Sequence, residues 1–160
     1  MASSIHSFRS RSAVRRGFTL VEILIVVIIL GILAAIVIPQ FTNASTDARK
    51  NSVISQLQTL RSQIQLFKLQ HNDVLPDLVT NQWGQLMSKT NISGTVDTTA
   101  TGLYGPYLES VPKNPLNGYS TVAAAAAAST GWTYSTSTGD IKATNQTSTT
   151  VFDESTGTVQ

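Results

Sequence analysis

From Phe18 to Ile38 the chain is apolar except at Thr19 and Glu22, and from Ile23 to Ile38 it has no polar side chain at all. A helix rises ~1.5 Å per residue, and about 20 apolar residues cross the hydrocarbon core of a bilayer. The run is therefore long enough to span a membrane, and no water-exposed fold can leave it uncovered. Arg9, Arg11, Arg15 and Arg16 precede it, with no acid among residues 1–17. Basic flanks stay on the cytoplasmic side, so the chain beyond the span is expected outside.

The carboxylate of Glu22 is the anomaly. A charged group in the middle of a bilayer costs roughly 2.5–3.5 kcal/mol on insertion scales, and less near the interface. A secretory signal peptide or an uncleaved signal anchor explains the arginines and the apolar run, but neither requires Glu22. A partner arises if the chain is cut after Gly17. The new α-amino group on Phe18 then lies one helical turn from Glu22, and can offset its charge within the chain or from a neighbouring copy.

Beyond the span, residues 40 to about 72 read as a continuing amphipathic helix. Val53, Leu57, Leu60, Ile64 and Phe67 follow at spacings of 4, 3, 4 and 3, a single stripe on a helix surface. Phe41, Ala44 and Ala48 extend a less bulky face toward the span. Asn72, Asp73 and Pro76 end the helix. The remainder, 73–160, is poor in charge and rich in Thr, Ser, Gly and Asn. Within it, 82–89 suggests a short helix, 93–102 a loop, and 105–119, with three prolines, an ordered turn-rich segment. The alanine run Ala123–Ala128 suits helix and spacer equally. Residues 131–144 read as a hairpin in which Trp132 and Tyr134 alternate with polar residues, and 150–160 as a last edge strand. The fold class expected is α+β: one long N-terminal helix, half apolar and half amphipathic, packed on a small antiparallel sheet.

Little points to catalysis. The chain has no cysteine, which removes disulfides, thiol nucleophiles and cysteine-based metal sites. His71 sits at the expected helix end beside Asp73 and reads as solvated. Asp140, Asp153 and Glu154 could meet around calcium, which takes six to eight oxygen ligands. Turn and edge-strand solubility explains them more cheaply, so no cofactor or metal is expected. The basic pI of about 9.1 comes from the N-terminal tail, since the rest of the chain is slightly acidic, and no nucleic-acid partner is expected.

The run "RRGFTLVEILIVVIILGILAAIVIPQF" resembles the cleavage and methylation segment of type IV pilins and type II secretion pseudopilins. The resemblance is strong over about residues 14–60. It implies that a prepilin peptidase removes 1–17 as a leader, cutting between Gly17 and Phe18, and N-methylates Phe18. It also implies that Glu22 aligns subunits during assembly and that Pro39 breaks the helix between segments 18–39 and 40–72. More weakly, 105–119 resembles the proline-bearing segment of major pseudopilins, and 131–143 the aromatic hairpin of pilin-like proteins. The calcium loop frequent in major pseudopilins and the cysteine pair frequent in surface pilins are both missing.

The expected function is a structural, non-enzymatic filament subunit, foremost the major pseudopilin of a type II secretion system. The alternatives are the major subunit of a surface pilus for adhesion or motility, and a signal-anchored binding module. The implied partners are further copies of the chain, the prepilin peptidase, an inner-membrane assembly platform, minor pilin-like subunits, and lipid before assembly. The implied location is the cytoplasmic membrane, crossed once with the N-terminus inside, and then a periplasmic or surface filament.

Overall fold

The structure is a computed structural model that describes residues 17–99, 102–145 and 147–155. The leader expected over 1–17 therefore lies outside the described residues except for Gly17. Helix α1 runs Leu20–Gln70, α2 is Gly84–Met87, and three short strands follow: β1 Val122–Ala123, β2 Trp132–Tyr134 and β3 Ile141–Ala143. The chain divides into two compact units at Thr42–Asn43, and α1 contributes to both.

In the first unit every described side chain is exposed, including the whole apolar run. Helix α1 continues through Pro39, which corrects the expected helix break. Proline has no N–H to offer the carbonyl four residues earlier, here that of Ala35, so one ladder bond is lost. The flanking turns are otherwise strong helix, and Thr42 Oγ1 donates to the Ile38 carbonyl at 3.2 Å.

The second unit is built on the predicted stripe. Val53, Leu57, Leu60, Ile64 and Phe67 are the buried residues of α1. They share one core with Leu78, Trp83, Leu86, Leu116, Val122, Trp132, Tyr134, Ile141, Ala143 and Phe152. Each buried aliphatic or aromatic side chain contributes roughly 1.5–3 kcal/mol over its exposed state. Asn72 and Asp73 take left-handed φ of 52° and 65°, and Asp73 N–H closes back on the Lys68 carbonyl at 3.0 Å. This ends the helix where the sequence expects it to end.

The expected short helix within 82–89 is present as α2. The sheet is mixed rather than purely antiparallel. Its order is β1-β2-β3, with β1 parallel to β2 and β2 antiparallel to β3. The hairpin register pairs Trp132 with Ala143 and Tyr134 with Ile141. The parallel pair explains the alanine run, which forms neither helix nor idle spacer. It starts in β1 and then makes the tight crossover to β2, where small side chains let eight residues, 124–131, do what usually takes a dozen or more. At its end, a Cβ on Gly131 would lie 2.2 Å from the Tyr119 carbonyl oxygen, so only glycine permits this approach. The open edge of β1 is covered by the Gln82 amide, which accepts from Val122 N–H at 2.7 Å and donates to its carbonyl at 2.9 Å.

Two further expectations change. Thr133 is buried along with Trp132 and Tyr134, so β2 has no solvent face and does not alternate. The last segment gives an isolated bridge, Thr144 with Val151, and a bond from Phe152 N–H to the Ala143 carbonyl at 2.8 Å. Residues 156–160 of that expected strand are outside the described set. The proline segment is ordered as expected, and it lies over the aromatic core. Trp132 Nε1 donates to the Pro112 carbonyl at 3.2 Å, and Trp83 packs edge-on against Trp132 with centroids 6.3 Å apart.

A chain starting near Thr42 keeps this whole core and is expected to fold and stay soluble. In it, Leu57→Asp or Ile64→Asp places a charge among fully buried side chains, at a cost of about 4 kcal/mol or more. Thermal melting followed by circular dichroism should lose its cooperative transition in both variants. Melting at the parent's midpoint would show that this stripe is not the core.

Candidate functional site

The candidate site is the stretch Gly17–Phe41. Gly17, Phe18 and Thr19 precede the helix in non-helical backbone, and all three are exposed. The Gly17–Phe18 peptide bond is thus outside regular structure and open to a protease, with nothing within 4 Å of the position a Cβ would take on Gly17.

Glu22 is not idle at the helix start. Thr19 Oγ1 accepts from Glu22 N–H at 3.2 Å, and Glu22 Oε2 accepts from Thr19 N–H at 2.9 Å and from Thr19 Oγ1–H at 2.8 Å. This is a reciprocal capping box, with Thr19 at the N-cap and Glu22 three residues on. It satisfies two of the backbone donors that a helix start leaves unpaired, and it sets the carboxylate at the positive end of the helix dipole. "TLVE" fits the sequence pattern for this motif, whereas the partner expected from the sequence is the Phe18 α-amino group, within the chain or from a neighbouring copy. The cap lies wholly on the Phe18 side of the expected cut, so cleavage leaves its two residues in the mature chain.

Beyond the cap, the helix is apolar on all sides. An 18-residue window reaches a mean hydropathy of 3.3, with none of it buried among the described residues, which makes α1 long and apolar enough to cross a membrane. Phe41, Ala44 and Ala48 are also exposed.

The other residues weighed in the sequence fall into structural roles. Trp132 and Tyr134 are core aromatics, and burial pushes the Tyr134 hydroxyl up to about 12. His71 is fully buried, which corrects its reading as a solvated helix end. Its ring stacks on Phe67 with centroids 3.9 Å apart. Nδ1 sits 2.6 Å from the Phe67 carbonyl and Nε2 2.9 Å from Thr90 Oγ1. The spacing that identified the stripe, continued four residues past Phe67, lands on His71, so the signal was there. A polar ring was read as surface, whereas both of its nitrogens find partners inside.

Asp140, Asp153 and Glu154 do not gather. Glu154 forms a two-pronged ion pair with Arg61 at 2.8 and 2.5 Å, and Arg61 also donates to the Ile141 carbonyl at 3.0 Å. Glu154 holds the Arg61 guanidinium above its usual range. Asp140 pairs with Lys142 at 3.3 Å, and Asp153 Oδ1 accepts from Ser155 N–H and Oγ–H. Among the described residues no three His, Cys, Asp or Glu side chains come together as a metal site. A shallow depression of about 320 Å³ beside β2 has Asp140 and Lys142 as its charged groups, and these neutralise each other.

Residues 13–38 match the prokaryotic N-terminal methylation motif. Among curated relatives, the type II secretion system core protein G of Dickeya chrysanthemi is 40% identical over 58 residues, which are 36% of this chain and 38% of that protein. The core protein G of Escherichia coli is 34% identical over 58 residues, 36% of this chain and 40% of the relative. The type IV major fimbrial protein FimA of Dichelobacter nodosus is 34% identical over 94 residues, 58% of this chain and 60% of the relative. The chain spans about two fifths of the length of the first relatives it matches. No solved structure matches it.

Removing the cap has a local, measurable cost. Thr19→Ala eliminates the two bonds that use the hydroxyl and keeps the backbone N–H that faces Glu22 Oε2, and N-cap losses cost about 1 kcal/mol. Amide exchange at Val21 and Glu22 in detergent micelles should speed up about fivefold, while exchange beyond Val26 stays as in the parent. Unchanged exchange at Glu22 would mean that the box does not hold the helix start.

Proposed function

We propose that the chain is a structural subunit of a pilus-like filament, processed at Gly17–Phe18 and assembled from the cytoplasmic membrane. The observation that carries this reading is the exposed apolar half of α1, headed by a carboxylate that caps the helix directly after an accessible glycine–phenylalanine bond, within the segment that matches the methylation motif. Before assembly the apolar helix sits in lipid, crossing once, with residues 1–17 in the cytoplasm and the globular unit outside. A prepilin peptidase cuts the leader and methylates the Phe18 nitrogen.

In the filament, lipid around residues 18–39 is exchanged for the same segment of other copies. Apolar burial changes little in that exchange, because hydrocarbon tails are as apolar as leucine. Shape and charge must therefore select the register. Thr19 engages one carboxylate oxygen of Glu22, Oε2, and Oε1 takes part in neither of those bonds. The cap can persist while Glu22 receives the α-ammonium of a neighbouring Phe18. Identical contacts repeated head to tail without closure give an open helical assembly. An assembly platform in the inner membrane and minor pilin-like subunits complete the partners, and the role is structural rather than enzymatic.

The filament we favour is the export pseudopilus of a type II secretion system, supported by the first relatives. A surface pilus is the second reading, favoured by the longer stretch shared with the fimbrial protein. Deleting the gene in its host separates them. Loss of a secreted enzyme with surface fibres intact supports export, and loss of fibres with normal secretion supports the surface pilus. A signal-anchored binding module that never assembles is the reading from another class.

The mature N-terminus distinguishes that last reading. Intact mass of membrane-extracted protein should fit a chain beginning at Phe18 and carrying one methyl group. A chain still beginning at Met1, or cut near Gln40, contradicts the proposal. Glu22→Val should insert at least as well as the parent, because the span becomes more apolar, yet filaments should be absent or scarce. Filaments of normal number and length would remove the role given to Glu22.

A further inference from the structure

Two asparagines tie the end of the fold together. Asn114 Nδ2 donates to the carbonyls of Gly131 at 2.7 Å and Thr144 at 2.8 Å. Asn117 Nδ2 faces four oxygens: the Thr130 carbonyl at 3.1 Å, Thr144 Oγ1 at 2.8 Å, the Asn145 carbonyl at 3.0 Å and Ser148 Oγ at 3.0 Å. The orientation of its amide is set from the other side, since Asn117 Oδ1 accepts from Tyr119 N–H at 3.0 Å. A donor group thus stands where the crossover loop, the end of β3 and the turn after it meet. A carboxylate in its place has no hydrogen to offer any of the four.

The two asparagines differ in the residue that follows. Asn114 precedes Pro115, whose nitrogen carries no hydrogen and cannot attack the side chain. Asn117 precedes Gly118, and no other asparagine in the chain is followed by glycine. Glycine leaves its backbone nitrogen unhindered and adopts the backbone angles that ring closure needs. In the folded chain three restraints oppose this closure. Gly118 N–H donates to the Asn114 carbonyl at 2.7 Å, the Asn117 carbonyl-type oxygen is held by Tyr119, and the departing nitrogen is held by its four acceptors.

We propose that Asn117 is a deamidation site guarded by the fold, so that opening of the C-terminal end of the globular unit is converted into a permanent chemical change. In the open chain the Gly118 nitrogen loses its proton and attacks Asn117 Cγ. The N–Cγ bond forms, the Cγ–Nδ2 bond breaks, and the nitrogen leaves as ammonia, giving a succinimide. Water then opens the ring to aspartate or isoaspartate. No oxidant or cofactor takes part. The product carries a carboxylate toward four oxygens, so the segments that Asn117 joined no longer close with their original stability. Asn114 has no following N–H and cannot deamidate by this route.

The test uses the full chain in detergent micelles at mildly alkaline pH, with and without denaturant, with peptide mapping by mass spectrometry over time. In denaturant, Asn117 should deamidate ahead of every other asparagine and yield isoaspartate. In the folded chain its rate should be lower by roughly tenfold or more, because only the open fraction reacts. Separately, Asn117→Asp, the product itself, should lower the melting midpoint of the globular unit by about 5 °C or more, and a variant too unstable to fold agrees with this. Equal rates in folded and denatured chain overturn the guarding role. Asn117→Asp that melts with the parent overturns the claim that the carboxylate is not accommodated.

Discussion

Among the described residues the apolar side chains of 18–38 are all exposed, and the remaining features of this segment are arranged around that fact. A helix that is hydrophobic all round must be buried by something. Lipid and other apolar helices both match it, and they are nearly equivalent in hydrophobic terms. A segment of this kind can therefore move from one to the other at small net cost, provided that a polar feature fixes which helices meet and in what register. Glu22 is the one charged group available for this within the run. The capping box explains how the carboxylate can be kept there: it is bonded to Thr19 and stabilises the helix start.

The globular unit obeys a separate set of constraints. Its charge is sparse, and its core sets one stripe of α1 against a small three-strand sheet together with Leu78, Trp83, Leu86, Leu116 and Phe152 from the segments around it. Side-chain hydrogen bonds make up part of the difference. Gln82 serves as a substitute strand on the β1 edge, Arg61 joins α1 to β3 and to Glu154, and Asn114 and Asn117 join the crossover loop before β2 to the segment after β3. Amides withdrawn from water, as Asn114 is fully and Gln82 and Asn117 are in part, are favourable only when their partners are all in place. That requirement makes the C-terminal end of the fold depend on closure of the whole set rather than on any single contact.

What the sequence makes legible follows the physics that dominates each region. The span, the stripe from Val53 to Phe67, the helix end at Asn72–Asp73 and the Trp132–Ile141 hairpin are all set by local periodicity or turn chemistry, and all appear in the structure. The parallel pairing of β1 with β2 is a non-local choice made by a short crossover, and periodicity carries no trace of it. Pro39 signals a break, but one lost hydrogen bond does not end a helix whose neighbouring turns are strong. His71 was misread because residue type was weighed above position. Asp140, Asp153 and Glu154, which the sequence reads as solubilising turn and edge residues rather than a calcium site, are each bonded to a nearby donor or cation. Thr19 and Glu22 were legible as a capping box, and only the structure shows the reciprocal bonds.

The most direct measurement of the central claim is electron cryomicroscopy of fibres purified from cells that express the chain with its assembly machinery. The account predicts a fibre whose core is made of residues 18–39 from many copies, each beginning at Phe18, with the Glu22 carboxylate within salt-bridge distance of a Phe18 nitrogen. A protein that stays dispersed in the membrane under those conditions, or a fibre in which the apolar segments face outward from the core, would contradict it.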